Sequence, residues 1–93
     1  MIKFIIVEDE KEYQDIYKNI IDKIMFKNDN NYEIQTYERY TPKLKSVIKD
    51  QTDTKIYIMD IEIQGEKSGL DIGREIRKDD WDSEILFITT MIK

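Results

Sequence analysis

The chain opens on an apolar run, Ile2 to Val7, interrupted only by Lys3. Such a run reads as a strand buried on both faces, the type found in parallel sheets. The spacing then changes. Tyr13, Ile16, Tyr17, Ile20, Ile21 and Ile24 fall at steps of three, one, three, one and three. This predicts a helix of about four turns with one apolar stripe facing the core. Asn28-Asp29-Asn30-Asn31 breaks it. Tyr32 to Tyr37 alternates apolar and polar residues, which predicts a half-exposed edge strand. Thr41 then supplies an N-cap and Pro42 the first position of a second helix, with Leu44, Val47 and Ile48 as its apolar face. Gln51 to Thr54 end that helix, and Lys55 to Asp60 form a third strand.

Glu62 to Ser68 is a polar loop containing Gly65. Ser68 with Asp71 three residues on has the spacing of a capping box, with Asp in the usual Glu position. It predicts a third helix from Gly69 to Lys78 with Leu70, Ile72 and Ile76 inward. Gly73 inside that helix costs about 1 kcal/mol relative to Ala, so a close packing contact is expected there. Asp79 to Ser83 is a turn, with Trp81 expected to pack over the sheet end. Glu84 to Ile88 is a fourth strand, and Thr89 to Lys93 close the sequence. The order β-α-β-α-β-α-β implies an α/β fold: a parallel sheet covered on both faces and joined by right-handed crossovers. No internal repeat, low-complexity segment or linker divides it, so one domain is expected.

Composition narrows the chemistry. The 93 residues contain no cysteine and no histidine. That excludes disulfides, thiol catalysis, zinc-thiolate sites and histidine general acid–base chemistry, so any metal must be bound by oxygen. A net charge of -5 argues against direct binding to a nucleic-acid backbone. No apolar run is long enough to span a membrane. The first residues read directly as a strand, so no signal peptide is expected. A cytoplasmic location is the resulting expectation.

Two strands end in carboxylates. Glu8-Asp9-Glu10 closes the first and Asp60 closes the third. If these strands are parallel neighbours, their ends lie about 4.8 Å apart. Carboxylates that close repel one another, and a hard cation relieves the repulsion. Mg²⁺ favours one or two carboxylates plus water and phosphate oxygens, which leaves one carboxylate to act on phosphorus. Plainer readings exist for each part. Asp9 and Glu10 could cap and charge-complement the first helix, and Asp60 could be a turn residue. The charges at Lys11, Glu12, Asp15 and Lys18 read as a solvated helix face. What favours a site is the conjunction of acidic ends on two strands with a hydroxyl residue, Thr89, after the fourth.

That conjunction resembles the receiver domain of bacterial two-component response regulators. The matching segments are Ile5-Ile6-Val7-Glu8-Asp9-Glu10, Tyr57-Ile58-Met59-Asp60-Ile61, Ser68-Gly69-Leu70 and Leu86-Phe87-Ile88-Thr89-Thr90. The resemblance implies a flavodoxin-like doubly wound sheet of order 2-1-3-4. By position, it makes Asp60 the phosphoacceptor and, with the acidic pair Glu8 and Asp9, a ligand of Mg²⁺, Glu62 a further ligand through its backbone carbonyl, and Thr89 the switch hydroxyl. It implies a sensor histidine kinase as partner and phosphorelay signalling that regulates transcription. Met59-Asp60-Ile61-Glu62-Ile63 and Asp80-Trp81-Asp82-Ser83-Glu84 look like the LytTR-type branch, which includes quorum-sensing regulators. The loop after Asp60 lacks the family's proline and is one residue longer than its commonest form. The family's final α-β-α, with its fifth-strand lysine, has no counterpart here; Lys93 lies too close to Thr89 to serve. The expectation is a receiver incomplete at its C-terminus, without an effector domain, that self-associates through the fourth strand.

Two other readings stand beside this one. A haloacid-dehalogenase-type phosphohydrolase also uses an aspartate nucleophile and Mg²⁺. Its Asp-x-Asp motif follows the first strand, where Glu8-Asp9-Glu10 offers one aspartate. A receiver-like module that only mediates interaction would need no phosphate at all. The receiver reading makes the chain a phosphoacceptor rather than a turnover enzyme.

Overall fold

Alternation along the strands divides the apolar residues between two layers. The computed structural model describes residues 1–27, 31–63 and 65–88. Its elements are β1 (Ile2–Val7), α1 (Lys11–Phe26), β2 (Tyr32–Tyr37), α2 (Pro42–Lys49), β3 (Thr54–Asp60), α3 (Gly69–Asp79) and β4 (Glu84–Ile88). The four strands form one parallel sheet of order β2-β1-β3-β4. This is the doubly wound architecture and strand order expected from the sequence. β3 begins one residue earlier than predicted, at Thr54, and α3 runs one residue further, to Asp79.

Ile5, Val7, Tyr57 and Met59 point to one face, where Leu44 and Ile48 of α2 and Ile72 and Ile76 of α3 cover them. Ile6 and Ile58 point to the other, against Tyr17, Ile21 and Met25 of α1. The nearly continuous apolar run in β1 is therefore two interleaved half-runs, one per layer. Among the described residues no helix is long and apolar enough to cross a membrane.

The predicted α1 stripe is only half correct. The buried row is Gln14, Tyr17, Ile21 and Met25, while Ile16, Ile20 and Ile24 are exposed, Ile20 to 50%. The stripe spans two adjacent i, i+4 rows, and one helix lying on the sheet buries one of them. Leu70 is exposed too. It lies roughly 200° around the helix from Ile72, so both cannot face the sheet. Trp81 does not pack over the sheet end; it is 73% exposed. The inward position in that turn belongs to Asp80.

Asp80 anchors a buried network at the N-terminal end of the strands. Lys55 Nζ pairs with Asp80 Oδ2 at 3.1 Å and donates to the carbonyls of Val47, Ile48 and Asp50 at the end of α2. Tyr57 donates its hydroxyl to the same carboxylate oxygen at 2.9 Å. Burial, then this bond, pushes the Tyr57 phenol well above its ordinary range. Lys55 thus supplies a charged donor to the carbonyls at the end of α2, where intrahelical donors run out. α2 itself starts as expected, with Leu44 N–H donating to Thr41 Oγ1 at 3.1 Å.

α3 carries the predicted capping box at Ser68 and Asp71. Two of its glycines sit against neighbours, with different consequences. A Cβ on Gly69 would lie 2.0 Å from the carbonyl oxygen of Asp60 and 2.8 Å from Ile61 Cα. A Cβ on Gly73 would meet Phe87 Cζ at 2.7 Å, the close contact expected there. Backbone cannot yield, whereas the half-exposed Phe87 ring has room to turn. Gly69→Ala should therefore destabilise by about 3 kcal/mol or more through overpacking. Gly73→Ala should fall within about 1 kcal/mol of the parent, because the gain in helix propensity offsets ring displacement. Urea denaturation of both variants checks this; equal destabilisation would contradict the contrast.

Candidate functional site

β1 and β3 run in register, with Val7 opposite Met59. The next residues, Glu8 and Asp60, are therefore neighbours at the C-terminal edge of the sheet. Each is held by backbone. Glu8 N–H donates to the Tyr37 carbonyl at 2.9 Å, extending the β1–β2 ladder by one rung. Glu8 Oε2 accepts from the Glu10 amide at 3.0 Å, and Asp60 Oδ1 accepts from the Glu62 amide at 3.0 Å. Gly69 N–H, at the start of α3, donates to the Ile61 carbonyl at 3.0 Å, fixing the chain directly after Asp60.

The result is a convergence of like charges. One carboxylate oxygen from each of Glu8, Asp9 and Asp60 lies within 4.8 Å of the others. Glu8 is 0% and Asp60 2% exposed, with Asp9 half-buried above them. Two unit charges 4 Å apart repel by about 4 kcal/mol at an effective dielectric of 20. The donor set is all oxygen, which fits a hard divalent cation such as Mg²⁺ and not a soft one.

The predicted site residues divide cleanly. Glu8, Asp9 and Asp60 come together. Glu62 is exposed, and its described role is the amide bond to Asp60. β4 brings Ile88 opposite Asp60; Thr89, the next residue, lies outside the described residues, as does Lys93. The helix-capping reading of the acidic run finds little support. Glu10 occupies the N-cap of α1 without a side-chain capping bond, and it is Glu8 that accepts from the Glu10 amide.

One neighbour of the site was not anticipated. Gln14, 6% exposed, donates from Nε2 to the Glu8 carbonyl at 2.7 Å. Its sequence signal was its place at the head of the row continued by Tyr17, Ile21 and Met25, where an amide is out of character. Further out, Tyr40 donates to Glu75 Oε1 at 2.9 Å, tying the entry to α2 to α3. Burial and that bond push the Tyr40 phenol up to about 12.

No protein-family model matches the chain, and a search of curated proteins finds no match. A solved structure does: the MaeR response regulator bound to beryllium trifluoride. It aligns with all of this chain and 70% of its own, at a TM-score of 0.74 and 22% identity. What this likeness establishes is the fold. The flavodoxin-like sheet of order 2-1-3-4 is shared with a response regulator, and in open α/β sheets of this kind ligands sit outside the carboxyl ends of the strands. Glu8, Asp9 and Asp60 occupy that end.

If the three carboxylates hold Mg²⁺, Asp9→Asn should weaken binding about tenfold or more by removing a charged ligand, read by calorimetry. Trp81 follows α3 and leads into β4, so it lies at the opposite end of the strands. Its fluorescence should not change during the titration. Unaltered affinity in Asp9→Asn would remove that residue from the site.

Proposed function

We propose that this chain is a receiver module of a phosphorelay, accepting a phosphoryl group on Asp60 in a Mg²⁺-dependent reaction. The observation that carries the reading is the convergence of Glu8, Asp9 and Asp60 at the carboxyl ends of β1 and β3. Support comes from the fold, shared with a response regulator solved with beryllium trifluoride. That compound is a stand-in for a phosphoryl group, the group that Asp60 would accept on this reading.

The chemistry follows from the side chains. The Glu62 amide donates to Oδ1 and helps orient the Asp60 carboxylate, which would supply the attacking oxygen. An O–P bond forms at Asp60 as the P–N bond of a phosphohistidine donor breaks. The imidazole leaves with that bond's electron pair and takes a proton from solvent. With acetyl phosphate, a P–O bond breaks and acetate leaves. Glu8, Asp9 and Asp60 would hold Mg²⁺, with the Glu62 carbonyl as a further ligand, and the ion would supply charge neutralisation on the transferring group. The new aspartyl phosphate carries about -1.5 to -2 of charge by the general rule for phosphorylation. Thr89 is the hydroxyl that would close on it, by the sequence resemblance.

A sensor histidine kinase is the partner this reading requires, with a cytoplasmic location and transcription as the output. The LytTR-type branch rests on the sequence resemblance at Met59 to Ile63 and Asp80 to Glu84. On incubation with acetyl phosphate and Mg²⁺, intact mass should rise by one phosphoryl group, and Asp60→Asn should abolish the gain. Steady release of inorganic phosphate over many turnovers would favour a phosphohydrolase instead. Absence of both label and turnover would leave a pure interaction module.

Self-association through β4 belongs to the same reading. Among the described residues β4 is an outer strand of the sheet, and Leu86 and Phe87 are exposed along it. Edge strands with apolar faces and no protective lysine or proline pair with other chains. Light scattering should show a mass that rises with concentration in the parent and stays monomeric in Phe87→Lys. A parent that remains monomeric throughout would contradict the pairing.

A further inference from the structure

We propose that Gln14 is a positioning residue for the acidic pair, acting through the peptide that joins Glu8 to Asp9. The inference rests on the reading of Glu8, Asp9 and Asp60 as a metal site.

The Glu8 carbonyl belongs to the peptide plane between Glu8 and Asp9. That plane sets ψ of Glu8 and φ of Asp9, and so the direction in which both side chains leave the backbone. Helix and strand ladders do not fix it, because β1 ends at Val7 and α1 begins at Lys11. Gln14 does: its Nε2 reaches back six residues to the Glu8 oxygen at 2.7 Å. The Gln14 backbone is itself held in the first turn of α1 by its N–H donating to the Glu10 carbonyl at 3.1 Å. The side chain is nine-tenths buried, so water competes little for the bond.

The composition of the buried row points the same way. Tyr17, Ile21 and Met25 continue it as core residues. A residue whose task was only to fill the head of that row would be apolar, since burying an amide without a bond costs about 1–3 kcal/mol. Groups that orient metal ligands from outside the coordination shell typically change metal affinity by about 10–100-fold when removed.

The test compares Mg²⁺ affinity, by calorimetry, with melting temperature for the parent, Gln14→Met and Gln14→Asn. Methionine keeps the length and the packing but has no donor. Asparagine keeps the amide but is one methylene too short to span the gap. Both variants are expected to fold, to bind Mg²⁺ about tenfold more weakly, and to lose most of that effect when combined with Asp9→Asn, since coupled residues do not add. Parent protein that binds no Mg²⁺ overturns the metal reading, and this inference with it. Parent-like affinity in Gln14→Met overturns the inference alone. An effect that persists at full size with Asp9→Asn places Gln14 outside the pair's control and overturns it. Failure of both variants to fold makes Gln14 a fold residue, with the same consequence.

Discussion

In-register parallel pairing of β1 with β3 places Ile2 opposite Thr54 and Val7 opposite Met59, and where every acidic side chain of the site ends up follows from it. A shift of one residue would turn each side chain of the moved strand to the other face of the sheet. Ile58 would leave the α1 layer, Tyr57 and Met59 would leave the α2–α3 layer, and Glu8 would no longer stand beside Asp60. The apolar alternation of the strands therefore specifies the carboxylate cluster indirectly. The acidic residues would not choose to meet, because their mutual repulsion opposes it. They meet because the core beneath them has one favourable register.

The two ends of the sheet handle charge in opposite ways. At the N-terminal end, Lys55 and Asp80 are buried as a pair, and the remaining capacity of each is taken up by helix carbonyls, Tyr57 and Ser83. Such an arrangement closes on itself and has little left to offer a ligand. At the C-terminal end, charges of one sign converge, and backbone amides hold Glu8 and Asp60 in place. Crossovers returning under the sheet make this division possible. Tight turns at one end stabilise, and the loops at the other are left for chemistry.

Much of this was legible in the sequence because the strands are short, apolar and bounded by clear stops. Thr41-Pro42 and the Ser68/Asp71 pair marked helix starts through local hydrogen bonding that needs no tertiary context. The parts not legible are those that depend on what an element packs against. Ile16, Ile20 and Ile24 satisfy helical periodicity as well as Tyr17, Ile21 and Met25, and only the tilt of α1 on β1 and β2 separates the two rows. Leu70 and Trp81 are apolar residues beside a core that had already been filled by Ile72 and Asp80. Lys55 read as a polar strand start, yet it is buried, because the end of α2 presents three carbonyls to it. For the candidate site, strand-end position was enough to anticipate that Glu8, Asp9 and Asp60 converge.

Glu8 shows why a strand-end position alone understates the site. In sequence, Glu8, Asp9 and Glu10 are three equivalent acids. In the fold, Glu8 is fully buried, Asp9 is half-buried and Glu10 serves the helix start. The ranking comes from one further rung of the β1–β2 ladder, the Glu8 N–H to Tyr37 bond. That rung draws Glu8 into the sheet and commits its side chain to the site. Asp9, released from the ladder, lies at the rim, where a cation exchanging with water would meet it first. A fully buried acid, a half-buried acid at the rim and a strand-end acid that accepts from the Glu62 amide are distinct environments for three carboxylates. The core and the ladder, rather than the acids themselves, set that difference.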